Sequence, residues 1–115
     1  MAAQAAVGVG PDRALSQPLK AARAEIRHSF TVDVEEYFQV VALAPYAPLE
    51  KWEIFESRVE PAIDLLLDLM AQYDTRGTFF SVGWVAERHP EMVKRIAAAG
   101  HELASHTYDH HVHPI

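Results

Sequence analysis

The hydrophobic residues of this chain alternate between β-type runs and helical stripes, and that alternation constrains the fold more than any other feature. Runs of β-branched and aromatic residues predict three strands, at 28–35, 77–82 and 101–106. Apolar stripes between them predict two helices (Ile63, Leu66, Leu67 and Met70; then Met92, Val93, Ile96 and Ala97). Strands that alternate with helices pair in parallel through right-handed crossovers, so the sequence predicts an α/β fold.

Several local signals predict where the helices begin and end. Ser57 and Glu60 fit the S-x-x-E pattern of a capping box, which places the start of the first helix beside Ser57. Pro90 suits the first position of the last helix, and Gly100 suits the position just after its end. Residues 39–56 contain two prolines and scattered aromatics, so we expect an irregular segment there.

Composition excludes several classes of protein. With 115 residues the chain is expected to form at most one small domain. A net charge of −6 argues against nucleic acid as the main partner, and the absence of cysteine excludes disulfides and thiolate metal sites. No apolar run approaches the roughly 20 residues that a membrane span needs. Residues 1–25 resemble a disordered leader more than a secretory signal, which leaves the cytoplasm as the default location.

Two acidic residues interrupt the first predicted strand near its end. Asp33 and Glu35 are two positions apart, so their side chains point to the same face of the strand. Parallel α/β folds build their sites at the carboxyl ends of strands. Burying two carboxylates is costly unless a cation or hydrogen bonds compensate. We therefore favour a functional pair over two solvated acids at an edge.

Histidines crowd the other end of the chain, where five lie within the last fifteen residues. His106 and His110 have H-x-x-x-H spacing, which on a helical turn directs both imidazoles to one side and suits two ligands of one metal ion. A chance cluster or a tag-like tail is the alternative, although acidic and aromatic residues are interspersed. We expect His111 and His113 to be bystanders, and His101 to have a structural role at the start of the third strand.

Two segments, "TVDVEEYF" and "TFFSVGWVAERHPEMVKRIAAAGHELASHTYDHH", resemble in sequence and order the polysaccharide deacetylases, the NodB homology group of carbohydrate esterase family four. The branch associated with bacterial exopolysaccharide and exosortase systems is the most similar. The resemblance extends over residues 28–115. It implies that Asp33 is the catalytic base and that His106 and His110 bind the metal.

The first motif departs from the pattern of many members, which carry two adjacent aspartates. Here Val34 follows Asp33, and the next acidic residue is Glu35. Because side chains alternate along a strand, Glu35 and not Glu36 lies on the face of Asp33. We therefore expect Glu35 to be the third metal ligand, with Glu36 as the alternative.

The resemblance also implies a larger fold than this chain can form alone. Family members are similar to a distorted (β/α)7 barrel about twice this length. Residues 28–115 are thus predicted to be the N-terminal half of the barrel, truncated after the second motif. The later motifs of the family, with the arginine that orients the base, the acetyl pocket and the general acid, are not found in the sequence. The chain alone is expected to be inactive.

The function implied by the resemblance is metal-dependent removal of N-acetyl groups from a polysaccharide of N-acetylglucosamine-type units. Zn²⁺ is the first choice of metal for two imidazoles and one carboxylate, and Co²⁺, Ni²⁺ or Mn²⁺ would also fit. The expected partner is the N-acetylated polysaccharide or oligosaccharide substrate. Two alternatives remain open: a cyclic-imide or allantoin-type amidohydrolase of the same fold, and a non-catalytic metal- or carbohydrate-binding module.

Overall fold

The computed structural model describes residues 26–111. Strands and helices alternate in the order β1 (Thr31–Val34), α1 (Val59–Gln72), β2 (Thr78–Ser81), α2 (Gly83–Arg88), α3 (Pro90–Ala98) and β3 (Glu102–Ser105). The predicted α/β fold is confirmed. In the described range, no helix is both long and apolar enough for a membrane crossing. The expectations for the leader 1–25 and for His113 lie outside the described residues.

The three strands form one parallel sheet in the order β1-β2-β3. Asp33 is in register with Phe80, which is in register with Ala104. All three carboxyl ends therefore lie at the same edge of the sheet. Glu35 is the first residue after β1, and His106 is the first residue after β3. The sheet thus brings together residues that are far apart in sequence.

The core lies between the sheet and the helices that cover it. Ile63 and Met70 of the first predicted stripe are buried, and Leu66 and Leu67 are partly buried against the core. The second stripe is narrower than predicted, because Ala97 is exposed. Fully buried aliphatic, aromatic and thioether side chains fill the centre: Val34, Phe79, Val82, Val85, Met92 and Ile96.

The segment between β1 and α1 is irregular, as predicted, but it also completes the core. It forms three short 3₁₀ helices: Tyr37–Gln39, Val41–Leu43 and Leu49–Ile54. Phe38 and Trp52 from this segment are buried against Trp84 of α2, with ring centroids 5.8 Å and 5.3 Å from that of Trp84. This aromatic packing fixes the segment beside the carboxyl edge of the sheet.

The predicted capping box at the start of α1 is wrong. The capping position is Arg58, and no side chain caps the helix from there. Ser57 instead donates a hydrogen bond to the carboxylate of Glu36, and Glu60 forms an ion pair with Arg95 at 3.1 Å. Ser57 and Glu60 therefore form tertiary contacts and not the local capping contacts that the pattern predicted.

The signals at the last helix predict its limits correctly. Pro90 is the first residue of α3, and Gly100 follows the end of the helix with a φ of 92°, a conformation that glycine adopts readily. His101 precedes β3, where it is buried and its Nδ1 accepts a hydrogen bond from the Gly77 amide at 3.1 Å. This contact supports the predicted structural role of His101.

Candidate metal centre

Three side chains meet at the carboxyl edge of the sheet. Glu35 Oε1 lies 3.2 Å from His106 Nε2 and 3.3 Å from His110 Nε2. The two histidine Nε2 atoms are 3.2 Å apart. Over the range 26–111, this is the one group of three histidine or acidic side chains with ligand atoms close enough to share an ion. The structure thus brings together the three predicted ligands.

The spacing of these three atoms fits one divalent ion. Ligand bonds of about 2.0–2.2 Å at tetrahedral angles separate neighbouring ligand atoms by about 3.4 Å. The measured separations of 3.2–3.3 Å are close to that value. Two nitrogens and one oxygen match the three-ligand donor sets of open zinc sites in other proteins, which keep a fourth position for water or substrate. All three side chains are partly exposed to solvent.

A backbone carbonyl holds the ring of His110. His110 Nδ1 lies 2.8 Å from the carbonyl oxygen of Gln39. Because a carbonyl oxygen can only accept, Nδ1 must carry the proton. The lone pair of Nε2 is then directed at the cluster, which is the tautomer that a metal ligand needs. Sequence reasoning missed Gln39, because its contribution is a main-chain atom and leaves no signature in residue type.

The loop that carries the two histidines is not the helical turn that the spacing suggested. Thr107 has a φ of 59° and His110 a φ of 69°, both in the left-handed region. The hydroxyl of Thr107 accepts a hydrogen bond from the His110 amide at 3.1 Å. The amides of Gly83 and Trp84, at the start of α2, donate to the carbonyls of Thr107 and Tyr108 at 2.9 Å each. A loop fastened to α2 therefore aligns the imidazoles.

Asp33 lies beside the cluster without joining it. Its Oδ2 is 3.8 Å from His106 Nε2, farther than any separation within the group of three. The side chain is 61% exposed. Asp33 is thus a solvent-facing carboxylate beside the candidate metal centre.

Glu36, the alternative ligand, is directed elsewhere. Its side chain is only 1% exposed. Its Oε1 accepts a hydrogen bond from the Arg58 amide at 2.9 Å, and its Oε2 accepts one from Ser57. Both glutamates follow the end of β1 at Val34; the Glu35 carboxylate is directed at the histidines, and the Glu36 carboxylate is directed at the start of α1. His111 contacts Asp109 and is not part of the cluster.

An apolar cleft of about 490 Å³ adjoins the metal centre, because His110 lines both. Its walls come mainly from the segment between β1 and α1, including Phe38, Val41, Leu49 and Trp52. The irregular segment therefore shapes the surroundings of the centre as well as the core.

Comparison with known proteins shows that this chain is similar to deacetylases. The chain is 42% identical over 45 residues to a peptidoglycan-N-acetylglucosamine deacetylase of Bacillus cereus, and 42% identical over 45 residues to a chitooligosaccharide deacetylase of Rhizobium leguminosarum bv. trifolii. Each match covers 39% of this chain and 21% of the relative. A crystal structure of a polysaccharide deacetylase from Mycobacterium smegmatis is 32% identical, with a TM-score of 0.55 over 73% of this chain and 30% of that one.

The family model described as polysaccharide deacetylase matches residues 54–114, which is more than half of the chain. This range includes α1, α2, α3 and the loop with both histidines. The chain spans about a fifth of the length of the relatives it matches. The narrower resemblance to the exopolysaccharide branch stays a prediction. The sequence match and the shared fold together establish that this chain belongs to the polysaccharide deacetylase family.

Proposed function

We propose that this chain is part of a metal-dependent deacetylase that removes N-acetyl groups from N-acetylglucosamine-type units of a polysaccharide. The observation that carries the proposal is the meeting of Glu35, His106 and His110 at one point, with separations of 3.2–3.3 Å. The activities for which the relatives are named, on peptidoglycan and on chitooligosaccharides, support this substrate class.

Each residue of the centre has a distinct role in the proposal. Glu35, His106 and His110 hold a divalent ion, with Zn²⁺ as the first choice for this donor set. A bound ion would act as a Lewis acid and polarise the acetamide carbonyl. Asp33 is the base that takes a proton from the attacking water at its exposed carboxylate. The main-chain carbonyl of Gln39 keeps the His110 ring in the tautomer that ligation requires.

The reaction is hydrolysis of a non-peptide carbon–nitrogen bond. Water adds to the acetyl carbon, the bond from that carbon to the sugar nitrogen breaks, and the products are acetate and a glucosamine unit. The leaving amine needs a proton, which the proposal assigns to a residue outside 26–111. The apolar cleft is lined by His110, and the proposal assigns it to the sugar units next to the reacting one.

Metal titration and substrate turnover in the full-length protein test the proposal. Glu35→Ala, His106→Ala and His110→Ala should each weaken Zn²⁺ binding in calorimetry by at least about tenfold. His28→Ala is the matched control, because His28 is exposed and precedes the opposite, amino-terminal end of β1. It should bind Zn²⁺ normally.

Acetate release from N-acetylglucosamine oligomers should accompany metal loading, with no turnover of cyclic imides. Turnover of imides in place of oligomers would move the protein to the amidohydrolase alternative. Metal binding without either turnover would favour a binding module. Normal Zn²⁺ affinity in all three ligand variants would reject the metal centre itself.

A further inference from the structure

We infer that Glu36 is a positioning residue of the metal centre, which it supports from the buried side without touching the ion. The inference rests on the proposed metal centre and adds a residue to it. Neither the family match, which begins at residue 54, nor the ligand cluster includes Glu36. Its place in the fold, next to the ligand Glu35, calls for a physical explanation.

A carboxylate that is 1% exposed needs compensating partners, because an isolated buried charge is very costly. Compensating partners surround the Glu36 carboxylate on several sides. The Arg58 amide donates to Oε1 at 2.9 Å and the Ser57 hydroxyl donates to Oε2. His89 Nε2 lies 3.9 Å from Oε2. Since Arg58 is the capping residue of α1, Glu36 attaches the chain after β1 to the start of that helix.

The main chain of Glu36 is also held by hydrogen bonds. Its amide donates to Oε1 of Gln39 at 2.8 Å, and its carbonyl accepts from the Gln39 amide at 3.0 Å. Residues 36–39 therefore form a closed turn. The Gln39 side chain is itself buried, so the turn is fixed against the core.

Two of the three ligands depend on this turn. Glu35 immediately precedes it, so the anchored Glu36 fixes the backbone from which the Glu35 carboxylate extends. At its other end, the Gln39 carbonyl accepts the Nδ1 proton of His110 at 2.8 Å. His106, in contrast, follows β3 and hydrogen-bonds through its amide to Ser81. Loss of Glu36 should therefore disturb Glu35 and His110 more than His106.

Two substitutions separate a positioning residue from a ligand. Glu36→Ala removes the anchor and should weaken Zn²⁺ binding by about ten- to hundredfold, the range typical of residues that orient metal ligands. Glu36→Gln keeps the shape, with an amide oxygen that can accept from Arg58 and an amide nitrogen that can donate to Ser57. It should bind Zn²⁺ within about threefold of the natural protein, whereas a directly coordinating carboxylate would lose far more.

A control variant with the same loss of stability distinguishes a positioning role of Glu36 from general destabilisation of the fold. Ile96 is fully buried in α3, so Ile96→Ala or Ile96→Val lowers stability without touching the turn. Whichever of the two matches the melting temperature of Glu36→Ala should retain normal Zn²⁺ affinity. Equal weakening in the control would overturn the inference, because the loss would then follow stability alone.

An NMR readout on the metal-free, full-length protein is independent of activity. Long-range ¹H–¹⁵N spectra of the imidazoles should show the Nδ1–H tautomer of His110 in the natural protein and in Glu36→Gln. In Glu36→Ala the Nε2–H tautomer should gain population, because the turn with the Gln39 carbonyl keeps its own hydrogen bonds but loses its anchor to Ser57 and Arg58. An unchanged tautomer together with unchanged Zn²⁺ affinity overturns the inference.

The remaining experimental outcomes also test whether Glu36 is a positioning residue. If Glu36→Gln weakens binding as much as Glu35→Ala, Glu36 is a ligand and the inference is wrong. If Glu36→Ala does not fold, Ser57→Ala removes one partner of Glu36 and should weaken Zn²⁺ binding by ~threefold or more, the scale of one lost hydrogen bond. Unchanged affinity in Ser57→Ala then overturns it. Failure of the metal centre itself appears separately, as normal Zn²⁺ binding in Glu35→Ala, His106→Ala and His110→Ala.

Discussion

The ring of Tyr108 lies directly against the α-carbon of Gly83. A β-carbon at position 83 would come 2.7 Å from Tyr108 Cδ1 and 3.3 Å from Tyr108 Cα. Gly83 is the first residue of α2, and Tyr108 lies in the loop between His106 and His110. The hydroxyl of Tyr108 also donates to Glu87 of α2 at 2.5 Å. This close packing holds the loop that carries two of the three proposed ligands.

Gly83→Ala should therefore lower both stability and metal affinity. Alanine is better than glycine by roughly 1 kcal/mol in a helix interior and is not expected to be worse at the first position, so a loss of stability would report the collision with Tyr108. Displacement of the loop should weaken Zn²⁺ binding several-fold in calorimetry. The double variant Gly83→Ala/Tyr108→Ala is the control, since removing the ring relieves most of the collision. Strictly additive effects of the two changes would contradict this explanation.

Asp33→Asn should separate metal binding from catalysis. The amide keeps the shape of the carboxylate but cannot act as a base, and loss of a general base typically costs about 10²–10⁴-fold in rate. Asp33 Oδ2 is 3.8 Å from the nearest histidine nitrogen, so Zn²⁺ affinity should change little. Acetate release and calorimetry on the same full-length sample measure both quantities. Retained activity would assign the base to another residue.

His101→Asn should reduce the acid sensitivity of the fold. Burial lowers the pKa of His101, and the neighbouring Arg76 guanidinium lowers it further. The unfolded chain therefore binds a proton at a higher pH than the folded chain, so the stability that neutral His101 contributes is present above roughly pH 6.5 and is lost as the pH falls. Protonation also removes the Nδ1 lone pair that accepts from the Gly77 amide.

An asparagine oxygen can replace that acceptor without titrating. Free energies of unfolding at pH 7.5 and 5.5 should thus differ less for His101→Asn than for the natural protein. At pH 7.5 the variant should be somewhat less stable, because the imidazole packs 4.8 Å from the ring of Phe79. An equal pH dependence in both proteins would show that His101 is not responsible.

The sequence predicted the elements whose pattern is local and repetitive. Three strands, the stripe around Ile63 and Met70, and the limits set by Pro90 and Gly100 all follow from hydrophobic period and turn chemistry. The same period-2 argument selected Glu35 over Glu36 as the expected ligand, and that choice stays a prediction. The family resemblance implied that residues after β1 and β3 share one site, and the parallel order of the strands explains why they meet.

Features that depend on tertiary contacts could not be predicted. Ser57 matched a capping pattern, but the buried carboxylate of Glu36 is its partner, and Glu36 lies 21 residues earlier. The turn at His106 and His110 is not helical, because α2 fastens the loop through main-chain hydrogen bonds to Thr107 and Tyr108. The Gln39 carbonyl that orients His110 is 71 residues away from it. Main-chain partners at such separations leave no local pattern.

The isolated 115-residue chain should bind Zn²⁺ but release no acetate. Among the described strands, β1 and β3 each pair on one side only, which leaves a row of main-chain N–H and C=O groups unpaired by the sheet at each edge. Phe30 just before β1 and Leu103 within β3 are exposed, so low stability is expected. Zn²⁺ that binds only the folded state should raise the melting temperature by mass action. Glu35→Ala is the control and should show a much smaller rise.

The general acid and the acetyl pocket expected from the family resemblance are not found in this sequence, so chitin oligomers should stay acetylated. Acetate above a control with Zn²⁺ alone would show that residues 1–115 already contain a complete active site.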